Sequence, residues 1–241
     1  MIALIVVLAL AQSDLENKFD SLLPRLKSEN PAERDAASRA FKESAQKDLP
    51  GARTFIRARI QAEGDPEVRA RLQAALAALP VFELKLTVEG EARVGCPVKF
   101  AARIKNISDG KQHVVRCMDG SSYARRFPHY VTETVSPTGK KENSSEGMPL
   151  CGSFNALGVD DVIELQPGEA MDPYTSGAVS PFLEGWTPEE PGKFTLKLTC
   201  KFDAPGSSED DHEPSLPRVR TLVSRVPQTQ FSASIELEVK P

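Results

Sequence analysis

The hydrophobic period of this chain changes once, at Pro80, and that change limits what can fold on either side of it. From Asp14 to Leu79 apolar residues recur every three or four positions, whereas beyond Pro80 they alternate, as in Phe82-Glu-Leu-Lys-Leu-Thr-Val88. A period of 3.6 lays an apolar stripe along a helix and a period of two lays an apolar face on a strand. A segment patterned for one cannot bury the same residues as the other. The expectation is therefore an α+β chain of two domains, helical over 12–80 and antiparallel β over 81–241, preceded by a short leader at 1–11. At 241 residues there is chain enough for two cores.

The helical part carries its own punctuation. A first helix is predicted at about 14–28, with Leu15, Phe19, Leu22, Leu23 and Leu26 on one face. A second opens on Asn30-Pro31, where asparagine can cap the first N–H groups and proline sits in the turn where its missing N–H costs nothing. A third begins near Pro50 and carries Phe55, Ile56 and Ile60. The fourth opens on Asp65-Pro66, the same device 35 residues further on. The match continues inward, Arg34 with Arg69, Ala37 with Leu72, Ala40 with Ala75 and Phe41 with Leu76. A two-helix repeat of this period, with Asp65-Pro66-Glu67-Val68-Arg69 opening a helix, resembles HEAT-type repeats. The resemblance implies HEAT-like helical hairpins, which in longer arrays often bind proteins along a concave face. The plain alternative is a four-helix packing unit with no binding role.

Beyond Pro80, strands are predicted at 82–88, 94–104, 113–117, 130–135, 161–165, 193–202 and 230–239. Short alternating segments separated by Gly, Pro, Asn and Asp turns, with no helix between them, argue for an antiparallel sandwich. The stretches IELQPGEAM and PGKFTLKLTCKF resemble the turn and penultimate strand of bacterial immunoglobulin-like and fibronectin-like domains. That resemblance implies an immunoglobulin-like β-sandwich, with 113–117 as its third strand lying beside 193–202. It also puts Phe194 where such domains often carry a tyrosine, so the corner hydrogen bond of that tyrosine is missing here.

Compartment follows from the N-terminus. Ile2 to Leu10 is apolar and ends in Ala9-Leu10-Ala11 before Gln12, the small-x-small pattern of a cleaved secretory signal, although no Lys or Arg precedes it. The run is too short for the roughly 20 residues of a membrane span. A secreted or periplasmic location is expected, with a buried N-terminal strand or helix as the alternative. Four cysteines, Cys96, Cys117, Cys151 and Cys200, suit an exported chain with disulfides. Pairing of Cys117 with Cys151 is favoured, because it would staple the long polar excursion between them. Cys117 with Cys200 is the second candidate, and buried unpaired thiols the third possibility.

Chemistry is sparse. The net charge of −4 comes with scattered Lys and Arg rather than a basic stripe, which excludes nucleic acid as a natural partner. Nucleophile-elbow, zincin, Walker and dinucleotide motifs are missing, and Ser44-Ala45-Gln46-Lys47 stands without the companion motifs of a serine–lysine enzyme. No catalytic residue, cofactor or metal is assigned. His212 lies among Glu209, Asp210, Asp211 and Glu213 in a segment at 204–229 that reads as a long loop, either a cation site or a solvated acidic run. Asn106-Ile-Ser108 and Asn143-Ser-Ser145 are glycosylation sequons. The one dense cluster is Asp119 to Tyr130, DGSSYARRFPHY, in a chain only 6% aromatic. Tyr123, Arg125, Arg126, Phe127, His129 and Tyr130 are the candidate binding residues, the arginines to clamp a carboxylate or phosphate and the rings to stack. The competing reading has the aromatics covering the sheet and the arginines paired with nearby acids. The function expected is a non-catalytic exported binding or scaffold protein with a protein or envelope component as partner. A loop-inserting protease inhibitor and a sandwich-based hydrolase are the alternatives.

Overall fold

A computed structural model describes residues 17–118, 121–123, 127–144, 157–174, 186–203 and 217–241. The chain divides between Leu79 and Pro80 into two compact units.

The first unit contains α1, described over 17–26, α2 (Pro31–Ala45), α3 (Leu49–Ala62) and α4 (Pro66–Ala77). The two matching turns are built alike. Asn30 Oδ1 accepts from the Ala32 N–H at 3.0 Å, and Asp65 Oδ1 accepts from the Glu67 and Val68 N–H groups at 2.9 and 3.4 Å. Arg34 donates to the Ser28 carbonyl and Arg69 to the Glu63 carbonyl, each six residues back. The 35-residue spacing seen in the sequence is thus preserved in hydrogen bonds as well as in apolar positions. The interior is made from the apolar stripes, with Phe19 stacked on Phe41 at 4.2 Å and Ala37, Ile56, Val68 and Leu72 sealed around them. Ser44 is buried in α2 and donates to the Ala40 carbonyl, so its hydroxyl serves the helix.

The second unit is antiparallel β. Its strands are β1 (Phe82–Glu89), β2 (Lys99–Asn106), β3 (Gln112–Val115), β4 (His129–Val135), β5 (Lys141–Asn143), β6 (Val162–Leu165), β7 (Ala170–Met171), β8 (Gly192–Phe202) and β9 (Thr229–Val239). They form three sheets, ordered β1-β2-β7, β3-β6 and β5-β4-β8-β9, and among the described residues none closes into a barrel or a true sandwich. Strict alternation decides the facing: along β8, Phe194, Leu196, Leu198, Cys200 and Phe202 are buried while the residues between them are not. The main core draws on all three sheets, including Phe82, Ile104, Val114, Tyr130, Leu165, Leu198 and Phe202. A second cluster joins Val98, Phe100, Phe194, Leu196 and Val239, with Trp186 packed against it.

Two expectations are corrected here. The strand beside β8 is β4, not the segment at 113–117; β3 pairs with β6 instead. β4 suits that place because Tyr130, Thr132 and Thr134 stand opposite Cys200, Leu198 and Leu196 on the inner face. The supposed long loop at 204–229 is also not a loop throughout. Residues 204–216, His212 and its acidic neighbours included, lie outside the described residues, but α5 (Pro217–Val223) follows, and Val219, Val223 and Val226 enter the main core.

Asn106 joins these parts. Its side chain is fully buried; Nδ2 donates to the Gly110 and Leu165 carbonyls at 2.8 and 3.0 Å, and Oδ1 accepts from the Ser108 N–H and hydroxyl at 2.9 and 2.7 Å. The sequon at Asn106 is therefore a structural knot, with no amide nitrogen left for a glycan. Asn106→Ala removes the amide donor shared by the Gly110 and Leu165 carbonyls and leaves the buried Ser108 N–H without its acceptor, and should cost about 3 kcal/mol. Urea unfolding is expected to show a lower midpoint with an unchanged slope. Asn106→Asp, which sets a carboxylate against the same two carbonyls, should cost more.

Candidate functional site

Of the candidate cluster, the structure brings only part together. Arg125 and Arg126 lie outside the described residues, and Tyr123 ends a 3₁₀ turn at Ser121–Tyr123. Phe127 and Tyr130 belong to the main core, their rings 6.5 and 6.1 Å from that of Phe202. Tyr130 is fully buried, and its hydroxyl donates to the Val115 carbonyl at 2.5 Å. Burial pushes that hydroxyl well above the ordinary tyrosine range, with Cys200, Cys117 and Tyr174 adding to the effect. His129 is half-buried at the start of β4, 3.8 Å from the Asp203 carboxylate. What these described rings do is pack and tie β4 to the end of β3.

The expected disulfide is not formed. Cys117 and Cys200 are both buried as thiols, and Cys96 is an exposed thiol. Cys151 lies outside the described residues. The Cys117 sulfur meets the Ser122 hydroxyl at 3.4 Å, inside the core rather than at the foot of a loop. Burial, and then the neighbouring Cys117, hold the Cys200 thiol well above its ordinary range. Both side chains act as small apolar residues, and a core that unites three sheets holds the unit without a staple.

A cleft elsewhere in the β unit gathers more chemistry. It measures about 540 Å³ and lies between the β4–β5 hairpin and the turn at 186–190. Thr134, Ser136, Thr138, Lys140 and Glu142 form one wall, Trp186, Thr187, Pro188, Glu189 and Glu190 the other, and Phe194 the floor. Each wall is held from behind. The hairpin closes through Ser136 N–H to Lys140 carbonyl and Gly139 N–H to Ser136 carbonyl, both 2.9 Å, with Gly139 at φ +84°. The facing turn is fastened to the approach to β2, because Val98 and Trp186 exchange backbone hydrogen bonds of 2.8 and 3.2 Å and Gly95 donates to the Pro188 carbonyl. Trp186 meets Phe194 edge-on at 4.9 Å. At the base, Gly192 has φ +127°, and a Cβ there would lie 2.7 Å from Pro137 Cγ, so only glycine lets β8 begin this close to the hairpin.

The charges of the cleft are unequal, with Glu142, Glu189 and Glu190 set against Lys140. Lys140 Nζ contacts Glu142 Oε1 at 2.6 Å. The ammonium is held above the usual lysine range chiefly by that hydrogen bond, then by the charge of Glu142, with Glu189 and Glu190 contributing. An aromatic wall, hydroxyls and both signs of charge can orient a polar ligand against a preformed surface. Sequence reasoning passed over this place. The available signal was the chain's single tryptophan beside an acidic turn flanked by prolines, WTPEEPG.

Among the described residues no group of three or more His, Cys, Asp or Glu could hold a metal ion, and no helix is long and apolar enough to cross a membrane. No family model and no curated protein matches the chain. Among solved structures it is similar to a β-glucosidase from Listeria innocua in complex with glucose, at 20% identity over 66% of this chain and 16% of that one, with a TM-score of 0.25. It is also similar to the alkylpurine DNA glycosylase AlkC of Pseudomonas fluorescens, at 10% identity over 91% of this chain and 50% of that one, with a TM-score of 0.28.

Two outcomes test the geometry. Alkylation of the native protein followed by peptide mapping should modify Cys96 and spare Cys117 and Cys200 until the chain is unfolded. Gly192→Ala combines a strained φ with a clash against Pro137 and should destabilise the β unit by about 1–3 kcal/mol, measured by urea unfolding.

Proposed function

We propose that this chain is an exported, non-catalytic binding protein that holds part of a partner macromolecule in the cleft between the β4–β5 hairpin and the 186–190 turn. The observation that carries the reading is the pre-organisation of that cleft. Trp186 is fixed by its backbone exchange with Val98 and by Phe194, and the hairpin is fixed by its own turn and by the approach of Pro137 to Gly192. Rigid walls reduce the ordering cost that binding would otherwise carry.

The scaffold in this reading is an immunoglobulin-like domain. The order β1-β2-β7 in one sheet and β5-β4-β8-β9 in another supports it, with β4 in the role of the third strand and β3 and β6 as an added pair. Ahead of it stands a HEAT-like helical unit, supported by the equivalent caps at Asn30 and Asp65 and the equivalent arginine ties. Export rests on the apolar block and small-x-small pattern before Gln12.

Thr187 is exposed and lines the cleft, so Thr187→Phe fills it without entering the core. With the tagged chain as bait in an envelope extract, the unchanged protein should retain a partner that the Thr187→Phe variant loses. Equal retention by both would remove the cleft from the proposal. Expressed with residues 1–11 in place, the chain should be recovered outside the cytoplasm with Gln12 as its first residue.

A further inference from the structure

We infer that the cleft takes a cationic side chain, arginine or lysine, presented by a basic segment of a partner protein. The inference rests on the reading of the cleft as a ligand seat and adds the chemistry of the ligand. Four features point the same way.

The first is the sign of the charge. Lys140 is engaged with Glu142, and Glu189 and Glu190 across the cleft then leave it with an excess of two negative charges. A phosphate, a carboxylate or an acidic glycan would enter against that excess, whereas a guanidinium or ammonium group offsets it. The second is Trp186, because the indole face attracts a cation more strongly than any other aromatic side chain does. The third is the pair of hydroxyls at Thr138 and Thr187, with Thr138 oriented by Ser136, whose Oγ lies 2.7 Å away and accepts from the Lys140 N–H; the two can accept from N–H groups of a guanidinium while a carboxylate takes the rest. The fourth is size. About 540 Å³ exceeds a single side chain, so room remains for the flanking backbone of a peptide. A neutral oligosaccharide could use the indole and the hydroxyls but would leave the excess charge unanswered.

The chain contains one tryptophan, so its intrinsic fluorescence reports on this cleft. The probes are a capped Gly-Arg-Gly-Arg-Gly peptide, the same peptide with Glu in place of Arg, and cellohexaose. The Arg peptide should change the emission saturably, and binding should weaken as salt rises from 0.05 to 0.5 M. In the Glu189→Gln/Glu190→Gln double variant its affinity should fall by about tenfold, a size usual for close charge pairs at interfaces. Both glutamates sit on the turn rather than in the core, and an unchanged circular dichroism melt confirms that the variant is folded.

Saturation by cellohexaose with no response to the Arg peptide overturns the cationic ligand but keeps the cleft as a binding site. A stronger response to the Glu peptide, or an unchanged affinity in the double variant, also overturns the inference. Silence toward all three probes overturns both the inference and the cleft.

Discussion

The register of β8 is the constraint on which the β unit depends. This strand runs eleven residues, pairs with β9 along its whole length and with β4 over most of it, and buries every second side chain. A slip of one residue would turn Phe194, Leu196, Leu198, Cys200 and Phe202 outward and carry Lys193, Lys197 and Lys201 inward. Burying three ammonium groups without partners costs far more than any gain from re-pairing, so the register is locked. Once it is locked, the two ends of the row have fixed neighbours. Phe202 meets Phe82, Phe127, Tyr130 and Phe231 at one end, and Phe194 meets Trp186 at the other. The core and the cleft are the two ends of one row of side chains.

Alternation alone does not say which connection leads where, because apolar contact is non-directional. Buried polar groups supply that direction. Asn106 ties the end of β2 to Gly110 and to Leu165 of β6, and Tyr130 ties β4 to Val115 of β3. Half-buried Ser144 adds a tie at the other margin, accepting from the Thr132 N–H and donating to the Ser122 carbonyl. Each of these groups is satisfied in one arrangement of the chain and stranded in most others, so each penalises a wrong pairing. The helical unit solves its problem differently, with local caps and six-residue arginine ties that need no long-range partner.

This difference explains how much was legible in the sequence. The change of period at Pro80, the capped starts of α2 and α4 and the alternation of β1, β8 and β9 are local signals and read directly. The neighbour of β8 did not, because pairing depends on which inner face complements Leu196, Leu198 and Cys200, and chain order favours the wrong segment. α5 was hidden for a related reason. Its seven residues are too few for a helical period to show, and its burial comes from the core it joins. The cysteines were misjudged by compartment reasoning, although Cys200 alternates with Leu198 and Phe202 on the buried face. Asn106 was read as a sequon, a three-residue pattern that carries no information about burial.

The Asp119–Tyr130 segment and the cleft differ in the same way. Asp119 to Tyr130 concentrates aromatics and arginines in twelve consecutive residues, and a sequence reader meets them together. In a chain this poor in aromatics, however, each ring is valuable to the core, and Phe127 and Tyr130 are drawn into it. The cleft is assembled from Thr134–Glu142 and Trp186–Phe194, segments whose Pro, Gly, Thr and Glu content reads only as turns. Its character arises from their meeting. Trp186 is half-buried, so the core anchors one part of the ring while another part lines the cleft, and Glu189 and Glu190 acquire meaning from an indole and a hairpin that the fold brings beside them. A surface made this way is as rigid as the sheet behind it. The register of β8 that holds the core together thereby also fixes the position of the cleft.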